Sequence, residues 1–268
     1  MKIAISGKGG VGKTTLSAML SGVLALEDRR VIAIDADPDA NLASALGVGD
    51  ETQVVPLAEM HDMISERTGA ADEPGGYFQL NPKVDDIPDE YALKIGNIRM
   101  LALGGVSQGG GGCICPATAI VKALLVHLII GRDDILIMDM EAGLEHLGRA
   151  TAQSMDALVV VVNPDRWSVQ TAVRVRDLAG DLGMKKVFAV VNRLGIAGQD
   201  AGGEVQEKLE QIQTALGDVP LIGSLPMDPR LGEGALKIAP DGAIAPTEAL
   251  TAHTGAIESI IAEVRSRV

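Results

Sequence analysis

The chain has 268 residues and a formal net charge of −13; 47% of its residues are hydrophobic but only 2% are aromatic. That length admits one large α/β domain, whose core must be built from Val, Ile, Leu, Ala and Met. The acidic balance and the scarcity of rings argue against nucleic-acid binding, by charge or by base stacking, and against attraction to anionic lipid.

The first apolar run, 2–6, leads directly into the segment GKGGVGKTT at 7–15. Gly7, Gly12, Lys13 and Thr14 fit the phosphate-binding loop pattern, with four residues between the glycines. That pattern requires a strand before it and a helix after it. The spacing predicts both, a strand over 2–6 and a helix over 14–27. Glycines let backbone N–H groups curl around phosphate oxygens, and the helix N-terminus adds roughly half a positive charge. The expected nucleotide-binding residues are Gly7, Lys8, Gly9, Gly10, Val11, Gly12, Lys13, Thr14 and Thr15. Lys13 is expected at the β- and γ-phosphates of ATP, and the Thr14 hydroxyl at Mg²⁺. Lys8 is surplus to this scheme, because a second lysine is not needed to cradle phosphates within one chain.

Further short apolar runs at 31–34, 98–103, 135–138, 157–162, 186–191 and 219–223 read as buried strands. Helical spacing covers 116–130, 168–182, 204–216 and 247–266. Alternating β and α units predict a doubly wound, mainly parallel sheet with helices on both faces. The stretch 50–97, rich in Pro and Gly, reads as an irregular insertion with one helix near 57–67. No repeat or linker divides the chain, so residues 1–268 are expected to form a single domain. Residues 2–6 run straight into the loop without a leader pattern, and no apolar run reaches the ~20 residues that span a bilayer. With only two cysteines, the expected compartment is the cytoplasm.

Several strand ends carry polar residues suited to nucleotide chemistry. The second strand ends in Asp35-Ala36-Asp37-Pro38-Asp39, carboxylates that can order magnesium-bound or attacking water. Asp35 is expected near magnesium, and Asp39 reads as a turn residue. The strand 135–138 delivers Asp139, the arrangement that holds Mg²⁺ through water, and Gly143 lies where a backbone N–H could meet the γ-phosphate. Asn192-Arg193 ends another strand, and Leu225-Pro226-Met227-Asp228-Pro229 follows the last one.

The two cysteines form Cys113-Ile114-Cys115-Pro116, just before the helix starting near 117. In an extended segment, residues i and i+2 point the same way, so both thiols could reach one metal. The helix N-terminus favours thiolate there. Two thiolates do not complete a four-coordinate site; two chains meeting at a two-fold axis would supply four, suiting Zn²⁺ or planar Ni²⁺. The spacing also suits a packed pair, or a redox pair that would be strained as a disulfide.

With Lys8, the loop GKGGVGKTT resembles the deviant Walker A family that includes MinD, ParA, the nitrogenase iron protein and the arsenite and tail-anchored-protein ATPases. The resemblance implies an ATP-sandwich homodimer in which Lys8 crosses to the facing nucleotide, with Lys8, Lys13 and Asp37 as catalytic residues. It implies that Asp37 positions the attacking water. It places Asn192, Arg193, Pro226, Met227 and Asp228 at the adenine. GGGGCICP at 109–116, MEAGLEHLGRAT at 140–151 and FQLNPKVDDIPDEY at 78–91 are similar to CooC-type nickel-insertion ATPases. That resemblance implies nickel, or zinc in the same site, held by Cys113 and Cys115 at the dimer interface. It implies a nickel enzyme as client, either carbon monoxide dehydrogenase or the associated acetyl-CoA synthase. His146 reads as a surface residue. A MinD- or ParA-like positioning role would instead want a basic tail or face, and the segment 247–268 sets Glu248, Glu258 and Glu263 against Arg265 and Arg267. An iron–sulfur reductase would need well-separated cluster cysteines, which the chain lacks.

Overall fold

The computed structural model describes residues 1–70, 77–104, 116–128, 131, 133–141, 149–198 and 202–268. Seven near-continuous apolar segments become the parallel strands of one sheet: β1 (Lys2–Gly7), β2 (Val31–Ala36), β4 (Ile98–Ala102), β5 (Ile135–Met140), β6 (Ala157–Val162), β7 (Val187–Val191) and β8 (Leu221–Ser224). An eighth, β3 (Leu93–Ile95), pairs antiparallel with β4 at one edge, and the order is β3-β4-β2-β5-β1-β6-β7-β8. All seven strands expected from the sequence are present. Strands this apolar must be covered on both faces, which is why they occur in a doubly wound sheet.

The two-residue alternation of a strand sorts the core into two layers. Ile32, Ile34, Leu136, Met138, Leu158 and Val160 face helices α3 (His61–Thr68), α5 (Pro116–His127), the short α6 (Arg149–Gln153), α7 (Arg166–Asp181) and α8 (Gly202–Leu216). Ile3, Ile5, Ala33, Ile137, Val159 and Val161 face α1 (Lys13–Leu26) and α9 (Glu248–Arg267) on the other side. By the same alternation, Asp35 and Asp139 fall on the α1 side, where the phosphate-binding loop ends. The parallel register sets Asp35 beside Asp139 and Ile5 beside Asp139, so the polar ends of three central strands line up.

The stretch 50–97 is more regular than its composition suggests. It contains a 3₁₀ turn (Leu57–Glu59), α3, the short α4 (Ile87–Glu90) and β3. Leu57, Met63, Ile64, Val84 and Ile87 are buried in the layer that holds α5, so the segment covers the sheet. The hairpin β3–β4 turns through Gly96-Asn97, a hairpin signal in the sequence. A second small hairpin, β9 (Leu236–Ile238) with β10 (Ile244–Pro246), turns around Pro240-Asp241-Gly242. Helix α9 is capped by Thr247, whose side chain accepts from Leu250 N–H, and it buries Leu250, Ile257, Ile260, Ile261 and Val264. Its apolar face is thus used in packing. Among the described residues no helix is long and apolar enough to cross a membrane.

Candidate nucleotide and metal site

The loop between β1 and α1 is shaped by its glycines and by a neighbour. Gly7, Gly10 and Gly12 have φ of 147°, 76° and 97°. At Gly12 a Cβ would stand 2.2 Å from Asn192 Nδ2, and at Gly7 2.5 Å from the Val161 carbonyl oxygen. Both positions therefore exclude side chains by contact as well as by backbone conformation. Asn192, from the end of β7, donates through Nδ2 to the Val11 carbonyl at 2.8 Å, and its Oδ1 accepts from Arg193 N–H at 2.9 Å. The asparagine ties the loop to the neighbouring strand end. Lys8 and Lys13 part company here. Lys13 is 7% exposed, whereas Lys8, Gly9 and Gly10 are exposed.

Beneath the loop lie the two carboxyls. Asp139 is 1% exposed. Burial pushes it up to about 6, with the Asp35 charge adding; the Thr14 and Ser17 hydroxyls and the Lys13 ammonium pull the other way. Ser17 donates to Asp139 Oδ1 at 3.1 Å, while Oδ2 is buried with no hydrogen-bond partner. A buried orphan oxygen on a carboxyl that the Thr14 hydroxyl also meets suits a hard cation held directly or through water, so the residues present fit magnesium.

Asp35 differs. Burial pushes it up to about 6 as well, but its oxygens accept from backbone N–H groups, Oδ1 from Asp37 at 3.1 Å and Oδ2 from Leu42 at 2.8 Å. Its carboxyl therefore anchors the loop carrying Asp37 and Asp39 to the start of α2 (Leu42–Leu46). Asp37 is half-buried, and its Oδ1 accepts from Asp39 N–H at 3.1 Å.

The buried carboxyls make stability pH-dependent. Raised in the folded chain, they hold more protons than the unfolded chain between about pH 4 and pH 6. Their stabilising contribution is complete below that window and lost as pH rises through about 6. Asp139→Asn is expected to flatten this fall, removing a slope of up to ~1.4 kcal/mol per pH unit. Urea unfolding of dilute protein at a series of pH values, without nucleotide, measures it; an unchanged slope contradicts the assignment.

Loops after β7 and β8 are joined. Leu194 N–H donates to the Leu225 carbonyl, Met227 N–H to Gly195, and Ala197 N–H to Met227, at 2.9, 3.0 and 3.0 Å. Asn192, Arg193, Pro226, Met227 and Asp228 are thereby brought to one wall. The Asp228 carboxylate is turned inward. It accepts from Arg230 Nε and Nη2 and lies 3.0 Å from His253 Nε2, and the Arg230 bonds hold it well below the usual carboxylate range. The side chains exposed along this wall are Arg193, Ile196 and Met227.

Sequence reasoning missed Ser17, Arg230 and His253. Ser17 was legible in principle, lying four residues after Lys13 on the same helix face. Arg230 meets Asp228 within one turn, whereas the Asp228–His253 contact joins α9 to the β8 loop and leaves no local signature. Cys113 and Cys115, Gly143 and His146 lie outside the described residues. Among the described residues no cluster of three or more His, Cys, Asp or Glu could hold a metal ion.

A parallel sheet with a phosphate-binding loop after β1, Lys13 and Thr14 at the start of α1 and Asp139 at the end of β5 defines a P-loop nucleotide-binding site. The CobQ/CobB/MinD/ParA nucleotide binding domain matches residues 2–240, so the chain belongs to this family of P-loop ATPases. It is 44% identical, over 230 residues, to the carbon monoxide dehydrogenase accessory protein CooC of Rhodospirillum rubrum, covering 85% of this chain and 84% of that one. It is 48% identical to an ATP-binding protein of Methanocaldococcus jannaschii over 72% of this chain and 75% of that one. Its fold is shared with MinD of Aquifex aeolicus (TM-score 0.65, 22% identity, covering 99% and 97% of the two chains). MinD of Pyrococcus horikoshii, complexed with Mg-ADP, gives a TM-score of 0.61 at 25% identity over 98% and 95% of the two chains.

Proposed function

We propose that this chain is an ATP-driven metallochaperone. It holds nickel on Cys113 and Cys115 at a homodimer interface and helps insert it into carbon monoxide dehydrogenase or the associated acetyl-CoA synthase. The observation that carries the reading is the 44% identity to CooC of R. rubrum, which extends over 85% of this chain. The cysteine pair supports it from the sequence, standing immediately before α5, whose N-terminus favours thiolate.

In this reading, Gly7 to Thr15 wrap the phosphates, and buried Lys13 balances the charge on the β- and γ-phosphates. Thr14 and Asp139 hold magnesium, with Asp35 fixing the loop beside it; the ion, when bound, neutralises phosphate charge. Exposed Lys8 reaches the nucleotide of the facing chain. Asp37 orients the attacking water. Asn192, Arg193 and the backbone of Pro226, Met227 and Asp228 flank the adenine. ATP draws two chains together and changes the spacing of four thiolates. Nickel affinity then differs between the nucleotide states, which is the only way the nucleotide can control it. Hydrolysis reopens the dimer. The whole chain, 1–268, acts as one ATPase domain.

Nickel titration of the full chain with no nucleotide, with ADP and with a non-hydrolysable ATP analogue tests this. About one nickel per two chains is expected, with an affinity that changes between nucleotide states. The variant Cys113→Ala/Cys115→Ala should lose the nickel and keep ATP binding. Retained nickel in that variant removes the cysteine site. No nickel in the wild type under any nucleotide would move the reading to a MinD- or ParA-like positioning ATPase.

A further inference from the structure

Helix α1 begins at Lys13, and Ser17 lies four residues on from it and three from Thr14. At 3.6 residues per turn, all three share a face, so a second hydroxyl sits one turn deeper than the one expected at magnesium. Ser17 is fully buried, at 0% exposure. A buried helical serine commonly satisfies itself on the carbonyl four residues back. Ser17 has that option at Lys13 O, 2.9 Å away, yet its hydroxyl also stands 3.1 Å from Asp139 Oδ1. One hydroxyl proton therefore faces two acceptors. On the carboxylate the outcome is asymmetric, with Oδ1 bonded and Oδ2 buried without a hydrogen-bond partner.

We propose that Ser17 is the positioning residue of the magnesium site, holding Asp139 Oδ1 so that Oδ2 stays free for the metal or its water. The proposal rests on the reading of Asp139 as the magnesium carboxylate. Ser17 touches neither nucleotide nor metal. It acts through Asp139, as outer partners act on metal ligands generally, where their loss commonly costs roughly 10–100-fold in metal affinity. The linkage also gives α1 a second grip on the site. The helix that starts at the phosphates is joined through Ser17 to the strand that supplies the carboxylate.

The test uses the full-length protein and a fluorescent N-methylanthraniloyl ADP, with Mg²⁺ as the titrant. Nucleotide affinity is measured in EDTA and then against rising Mg²⁺ for wild type, Ser17→Ala, Ser17→Thr and Asp139→Asn. Ser17→Ala is expected to raise the half-saturating Mg²⁺ concentration by ~10-fold or more and to leave affinity in EDTA within about twofold of wild type. Ser17→Thr keeps the hydroxyl and should recover most of the Mg²⁺ response. A wild-type Mg²⁺ response in Ser17→Ala, with a shifted one in Asp139→Asn, overturns the proposal alone. Wild-type responses in both variants overturn the magnesium assignment of Asp139 and the proposal with it. Equal weakening of nucleotide with and without Mg²⁺ in Ser17→Ala would show that the hydroxyl only packs, and would also overturn it.

Discussion

Lys8→Ala is expected to bind ATP with nearly wild-type affinity and to hydrolyse it ~10³-fold or more slowly, by analogy with the arginine fingers of phosphoryl transfer. The two lysines of the loop occupy different environments. Lys13 is 7% exposed and lies close enough to Asp139 to lower its proton affinity, so it is expected to serve the cradle of its own chain. Lys8 is exposed on the turn before Gly9 and Gly10. A cation in water gains little from phosphates on its own chain. It gains much more where a second chain excludes that water, because charge interactions strengthen as the local dielectric falls. Its contribution is thus expected in turnover, where charge builds up in a closed dimer, and not in the first binding of nucleotide. Isothermal titration gives the affinity and phosphate release gives the rate. Mixing Lys8→Ala with an Asp37→Asn chain adds a second readout. A heterodimer that recovers turnover at one of its two sites supports action across the interface. Wild-type turnover by Lys8→Ala removes the argument for a facing chain.

Gly12→Ala is expected to weaken nucleotide binding on the order of 100-fold or more. Two costs combine. Alanine at φ 97° leaves the regions open to side chains and costs roughly 1–2 kcal/mol. Its Cβ, 2.2 Å from Asn192 Nδ2, would also push away the amide that donates to the Val11 carbonyl, and an unmade buried hydrogen bond costs about 1–3 kcal/mol. Without nucleotide the loop can relax and escape much of this. With nucleotide it must keep the curled form, so the cost appears as lost affinity more than as lost stability. Asn192→Ala on its own removes the staple without the clash and is expected to cost less. Adding Asn192→Ala to Gly12→Ala removes the clash and should recover part of the loss, a coupling that a double-mutant cycle reads directly. Additive losses would show that the asparagine contact plays no part.

Much of the fold was legible because its signals are local. Seven apolar runs ending in Gly, Asn or Asp become seven parallel strands, and the alternation of β and α segments leaves one economical arrangement. The stretch 50–97 was harder to read. Its prolines and glycines suggest irregular chain; the helix expected near 57–67 is present as α3 with Met63 and Ile64 buried, but Val84 and Ile87 bury against the sheet at a short turn of helix that no periodicity announces. The hairpins at Gly96-Asn97 and Pro240-Asp241-Gly242 carry turn signals, but strands of three residues are too short to stand out by alternation.

Local signals along the chain suffice to place a phosphate-binding loop after the first strand, Lys13 and Thr14 at the opening of the next helix, and Asp35, Asp37 and Asp139 at strand ends. Each follows from a motif or a period that depends only on neighbours along the chain. How those carboxyls differ is set by packing. Asp35 spends both oxygens on the backbone of its own loop, while Asp139 keeps one buried oxygen without a hydrogen-bond partner. Packing also decides that Asn192 braces the phosphate loop, that Asp228 turns inward to Arg230 and His253, and that Ser17 holds Asp139. Apart from Arg230, two residues from Asp228, these partners meet across 25 to 181 residues of chain, and hydrogen-bond capacity is allotted only once strands and helices have packed.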